Sequence, residues 1–299
     1  GLPDSAIAAA AQRAQEEEKE GWLFTLDIPS YLPFMQYAEN SGLREQMYKA
    51  YVSRASDGEL DNTAVIDETL ALRQEAAQLL GFEHYTAYSL ADKMAPDVQT
   101  VTTFLRDLAA KSKTMAKREL EELRAFAKEH LNIQTLEAWD IPYASEKLRQ
   151  NMYAISQDEL KPWFPEQHVK QGMFTLAEKL YNIRIQKADA PIWHESVDYY
   201  DVFDASGNKK AGFYLDPYAR KGKRGGAWMD ECLVKWRMES GELQHPIAYL
   251  VCNFDAPIGD KPALWTHDEV TTLFHEFGHG LHHMMTAVEI RDVSGINGV

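Results

Sequence analysis

Three things are scarce in this 299-residue chain: cysteine, positive charge and long apolar runs. The two cysteines, Cys232 and Cys252, make no disulfide framework and lack any CxxC spacing. They read as free, buried thiols of a reducing compartment, which points to the cytoplasm. Lys and Arg number 31 against 46 Asp and Glu, for a formal net charge of −15. Binding to a phosphate backbone needs a basic surface, so no nucleic-acid partner is expected; the charge serves solubility. No apolar run approaches the ~18 residues of a membrane-spanning helix, so no membrane partner is expected either. The start, "GLPDSAIAAAAQRAQEEEKEGW", has no basic stretch followed by an apolar core and does not read as a signal peptide. It begins on Gly1 with no Met, unlike a natural start.

What is present is mostly helical period. "PDSAIAAAAQRAQEEEKE" is rich in Ala and Glu behind Pro3 and Asp4, a composition that suits a helix start. "DNTAVIDETLALRQEAAQLLG" carries apolar residues at helical spacing and ends on Gly81, a stop signal. Residues 97–130 give the longest helix, with a solvated charged side, and two more helices are expected near 144–155 and 167–182. "WLFTLDI" at 22–28 is a short strand candidate. Further on, "VDYYDVF" and "KKAGFYL" flank "DASGN" and read as a β-hairpin turning at Gly207. "KGKRGGAW" is a Gly-rich loop, and "HPIAYLVCNF" is a continuous apolar run of strand length. The expected class is mainly α with a small β-sheet region. Residues 1–187 form a mostly helical region, and residues 188–299 an α+β region holding the hairpin, the Gly-rich loop and a last helix.

That last helix carries the chemistry. "THDEVTTLFHEFGHGLHHMMT" has helical period, and Thr266 with Glu269 three residues on fits a capping box, predicting one helix over about 266–286. His275 and His279, four apart, project from one face, where both imidazoles can reach one ion. Glu276 sits about 100° further round, displaced from the ligands but able to touch a water held there. This is the HExxH arrangement of two His ligands and a Glu general base. By chance alone the motif occurs on the order of once in a hundred chains of this size, so spacing by itself is a hypothesis. Gly278 and Gly280 each cost a helix roughly 1 kcal/mol against Ala, a cost that close approach of another backbone or of substrate explains. His282 occupies the position where a longer zinc motif has Gly, so His282 and His283 read as core or supporting residues and not as ligands.

At this point the chain resembles a known family. "FHEFGHGLHHMMT", "FYLDPYARKGKRGGAWMDEC", "YLVCNFDAP" and "KPALWTHDEVTTLFHEFGH" are similar to the M3, or thimet oligopeptidase-like, family of zinc oligopeptidases. The resemblance implies a zincin-like, two-lobed helical peptidase with a deep channel, one Zn2+ per complete site, and short unfolded peptides as substrates. It implies His275 and His279 as zinc ligands and Glu276 as general base. It places Gly225, Gly226 and Ala227 beside the cleft, where an extended peptide can pair as an added strand; a plain sheet turn is an equal reading of these three. A catalytic zinc needs three protein ligands, and the resemblance puts the third on a Glu about 25 residues past the second His, beyond Val299. Glu289, ten residues past His279, matches a non-ligand position. On this reading the chain is the middle of a longer protein, and its partners include the remaining amino- and carboxy-terminal segments. Leu273, Leu281 and Met284, deprived of a neighbouring helix, are expected to be partly exposed.

The leading function is thus zinc-dependent hydrolysis of internal bonds of short peptides. The alternatives are a peptidyl-dipeptidase of the same family, and an inactive fragment that binds peptide or metal without turnover.

Overall fold

The structure, a computed structural model, describes residues 1–259 and 261–298, with the backbone alone at 157 and 158. It divides into two compact units, one formed by Gly1–Tyr37 with Arg149–Val299 and the other by Ala38–Leu148. Helices α1 (Asp4–Glu16) and α2 (Ile28–Tyr37) open the first unit. The second contains α3 (Ser41–Val52), α4 (Thr63–Leu79), α5 (Tyr85–Leu90), α6 (Val98–His130) and the start of α7 (Ile141–Tyr153). The first unit resumes with α8 (Gln157–Leu160) and α9 (Glu166–Tyr181). It continues through strands β1 (Ile183–Ala188), β2 (Asp198–Asp204), β3 (Lys209–Tyr218), β4 (Trp228–Leu233), β5 (Trp236–Arg237), β6 (Leu243–Gln244) and β7 (Ile247–Phe254), and ends on α10 (His267–Met284). Helices therefore fill the chain as far as Tyr181 and every strand lies beyond it, the mainly α composition with a small mixed sheet that the patterning predicts.

Local chemistry sets the helix ends. Asn40 and Asp97 accept the backbone N–H groups of Leu43 and Thr100, capping α3 and α6. Gly81, at φ 83°, follows α4 in the left-handed conformation that closes a helix. In the second unit a buried Arg44 pairs with Asp140 at 2.5 Å, with the Ser41 hydroxyl donating to the same carboxylate.

The expected strand at 22–28 does not form. Leu23 N–H bonds back to the Ala10 carbonyl, and Thr25, Asp27 and Ser30 bond among themselves. Those short polar side chains offer the backbone a local turn instead of a ladder, and Pro29 then enters the first turn of α2.

The sheet runs in the order β1-β2-β3-β7-β4. β2 and β3 form the expected antiparallel hairpin, with Gly207 at φ 83° in its turn. β3 and β7 are parallel, so β7 inserts between β3 and β4, and β4 is left at the edge. Helices α9 and α10 cover one face. Met173 and Phe174 from α9 meet Leu273 and Phe277 from α10 over Phe213, Leu215, Ala248, Leu250 and Cys252 of the sheet. Ala248, Leu250, Cys252 and Phe254 alternate along β7 towards that core, as a strand period requires.

Candidate metal centre and substrate edge

Helix α10 begins where the capping box predicts. The Thr266 hydroxyl accepts the Glu269 N–H at 3.1 Å, and Glu269 Oε2 accepts the Thr266 N–H at 2.7 Å. Glu269 Oε1 also accepts the Asp255 N–H at 2.8 Å, which fastens the helix start to the chain leaving β7. Burial, and then the negative charge of Asp255, push the Glu269 carboxyl up to about 7. The backbone N–H groups of Thr266 and Asp255 and the charge of Lys161 pull the other way and are outweighed.

The buried stripe of α10 runs through Leu273, Phe277, Gly280 and Met284, at the four-three-four spacing of a helix face. It lies against β7, β4 and β3. Leu273 and Met284 are fully covered by the sheet, so the expected partial exposure fails for these two; Leu281 is half-buried at the edge of the same core, as expected of it. Gly280 explains part of the glycine cost, because a Cβ there would lie 2.9 Å from Leu250 Cδ2. Gly278 meets nothing within 4 Å and is exposed.

His275 and His279 stand on the opposite, exposed side. Their Nε2 atoms are 3.1 Å apart and the rings are nearly perpendicular, at 86°. Two protonated nitrogens would repel at that distance, so at least one presents a bare lone pair to the gap. Two imidazole nitrogens on a tetrahedral zinc, each about 2.0–2.1 Å from it, stand roughly 3.3 Å from one another, so the observed pair fits two adjacent positions of such an ion. Glu276, between the two histidines in sequence, is only 8% exposed. Burial, and next the Glu276 charge, push the thiol of Cys252 on β7 well above its ordinary range. Both cysteines are free.

The remaining candidates fall outside this pair. His282 Nε2 contacts the Gly295 carbonyl at 3.2 Å. His283 is fully buried; its Nε2 reaches the Leu233 carbonyl at 2.9 Å, and its Nδ1 accepts the Ile296 N–H, which assigns the proton to Nε2. Glu289 is held by Arg237 Nε at 2.6 Å, and that hydrogen bond keeps its carboxyl below the usual range. Among the described residues no group of three or more His, Cys, Asp or Glu side chains is placed to hold a metal ion. Gly225, Gly226 and Ala227 lead into edge strand β4, with the two glycines exposed. Gly226 has φ 87°, and its carbonyl accepts Asn253 Nδ2 at 2.6 Å.

Two features carried no clear signal in the sequence. One is the tie from Glu269 to Asp255, and from Asp255 to Lys161 at 2.7 Å. The other is Asp216, whose buried carboxylate is gripped by Arg220 and Lys223. An acid followed by Arg four and Lys seven residues on is the one hint "DPYARKGK" offers. Burial pushes the Asp216 carboxyl up, but the hydrogen bonds from Arg220 and Lys223 prevail and hold it low. A cavity of about 940 Å³ lies elsewhere in the same unit, lined by Arg13, Phe24, Lys161, Arg220 and Asp255, and the two histidines take no part in it.

The profile of peptidase family M3 matches residues 34–299. The chain belongs to that family. Among M3-type relatives, oligopeptidase A of Escherichia coli strain K12 is 52% identical over 305 residues, covering 100% of this chain and 45% of the relative. The organellar oligopeptidase A of Arabidopsis thaliana, chloroplastic and mitochondrial, is 45% identical over 314 residues, covering 100% of this chain and 40% of its own. The dipeptidyl carboxypeptidase of Escherichia coli strain K12 is 32% identical over 301 residues, covering 99% and 44%. The chain thus spans less than half the length of these M3 relatives. No helix among the described residues is long and apolar enough to cross a membrane.

Proposed function

We propose that this chain carries the catalytic helix of a zinc-dependent metallopeptidase that hydrolyses internal bonds of short, unfolded peptides. The observation that carries the reading is the convergence of His275 and His279 Nε2 at 3.1 Å on an exposed helix face, with the Glu276 carboxylate one residue round, in a chain of family M3. His275 and His279 would hold zinc, with the third ligand supplied from outside the described residues. Zinc held there would acidify a water and so supply a nucleophile near neutral pH. Glu276 takes a proton from water on one carboxylate oxygen and returns it to the nitrogen of the leaving amine. Gly225, Gly226, Ala227 and the start of β4 align the peptide by backbone pairing, since an edge strand has donors and acceptors to offer.

Higher identity to the oligopeptidases than to the dipeptidyl carboxypeptidase favours endo-cleavage over dipeptide removal. The two-lobed, channelled shape and a cytoplasmic place of action belong to the same proposal; the free thiols support the latter. For residues 1–299 by themselves, the lack of a third ligand among the described residues favours metal or peptide binding without turnover. The test is cleavage of internally quenched peptides by the native-length protein. Cleavage should stop with a zinc chelator and return with zinc; cleavage indifferent to the chelator overturns the reading.

A further inference from the structure

The chain passes from β3 to β4 through residues 219–227, across the end of β7 that lies between them. Asp216, Lys223 and Asn253 hold this crossing. Asp216, near the end of β3, is 2% exposed. Its carboxylate accepts Arg220 Nη1 and Nη2 at 2.6 and 2.8 Å, Lys223 Nζ at 2.8 Å and Trp193 Nε1 at 3.1 Å. Lys223 Nζ also donates to the backbone carbonyls of Asp216 and Tyr218, at 3.0 and 2.7 Å. Beyond it, Asn253 Nδ2 on β7 donates to the carbonyls of Arg224 and Gly226, at 2.8 and 2.6 Å. Ala219 N–H closes on the Phe254 carbonyl at 3.1 Å.

A buried carboxylate is tolerated only when its oxygens are paired, so Asp216 demands that Arg220 and Lys223 fold back onto it. With both ends of the loop pinned, the approach to β4 has one path. Asp216 and Trp228, the first residue of β4, are each registered against Val251 of β7. The anchor and the start of the edge are therefore level across the sheet.

We propose that Asp216 is a positioning residue for the substrate edge: through Arg220 and Lys223 it sets the register at which Gly225, Gly226, Ala227 and β4 meet an extended peptide. This rests on the metallopeptidase reading. Asp216 faces away from α10, because its neighbour Leu215 packs in the core beneath that helix, so loosening the loop should leave the histidine pair alone.

The experiment compares wild type, Asp216→Asn and Arg220→Gln in the native-length, zinc-loaded protein. Backbone pairing is spread over several hydrogen bonds, so KM should rise roughly tenfold while kcat stays within about threefold. Zinc content should not change, and amide hydrogen exchange should quicken across 219–229. Arg220 is more accessible than Asp216, so Arg220→Gln carries the test where Asp216→Asn fails to fold. An unchanged KM in Arg220→Gln, or a fall in kcat at constant KM, overturns the proposal. Wild-type protein that cleaves no peptide would instead sink the metallopeptidase reading, and this assignment with it.

Discussion

Gly280 of α10 lies so close to Leu250 of β7 that a methyl group at 280 would sit 2.9 Å from Leu250 Cδ2. Leu250 is fully buried, so its methyl can give way only by disturbing the side chains packed around it. Gly278, on the opposite side of the helix, has open space around it. Alanine in a helix gains roughly 1 kcal/mol over glycine, whereas a crowded core methyl costs about 1–3 kcal/mol. Gly278→Ala should therefore raise the denaturation midpoint and Gly280→Ala should not. Chemical unfolding of the two variants side by side checks the contrast, and equal stabilisation by both would refute close helix–sheet contact at 280.

Glu276→Gln should leave zinc binding intact and lower peptide cleavage in the native-length protein by a factor on the order of 10² or more, because positioned acid–base catalysis contributes ~10²–10⁴. Steady-state kinetics together with metal analysis decides it. Activity above a tenth of wild type would remove Glu276 from the general-base role.

Two imidazoles hold zinc poorly, since catalytic sites use three protein ligands. The 299-residue chain by itself should lose zinc on dialysis, and Glu289→Ala should not change its zinc affinity, because Arg237 already engages that carboxylate. His279→Ala should abolish what binding there is. Stoichiometric zinc that survives dialysis and falls away in Glu289→Ala would make Glu289 a ligand after all.

Glu269 titrates at about 7 in the folded chain, against an ordinary value of 4.5. Between these values the folded chain keeps a proton that the unfolded chain has released. Stability from this group is therefore full at the acidic end and declines as pH rises through about 7. Melting temperatures of wild type and Glu269→Gln, taken at pH 5 and pH 8, should show a steeper loss in wild type. Parallel curves would mean that the carboxyl is not shifted upward.

What could be read from the sequence was local. The capping box at Thr266, the four-residue spacing of His275 and His279, and the turn at Gly207 each involve residues within a few positions, and each forms as expected. Long-range pairing was not legible. Nothing in "HPIAYLVCNF" announces that β7 slips between β3 and β4, a placement decided by packing under α10. The same insertion makes β4 an edge and gives Asn253 its loop carbonyls. At 22–28 the apolar letters promised a strand, but a strand needs a partner, and local hydrogen bonds at Thr25 and Ser30 were available first.

β4 has a strand neighbour on one side only among the described residues. Asp230 Oδ1 already holds the Glu231 N–H and His283 the Leu233 carbonyl, so the backbone groups left for a peptide on the open side lie towards the start of the strand. A peptide lying there would be read by its main chain, in steps of two. Proline has no N–H to give, so it would be refused wherever the peptide must donate and accepted at the residues between. Moving one proline along a fixed peptide should then produce an alternating pattern of good and poor binding, a two-residue beat that owes nothing to side-chain pockets. Such an edge selects for chains able to lie extended, and it can be indifferent to most of the letters they are written in.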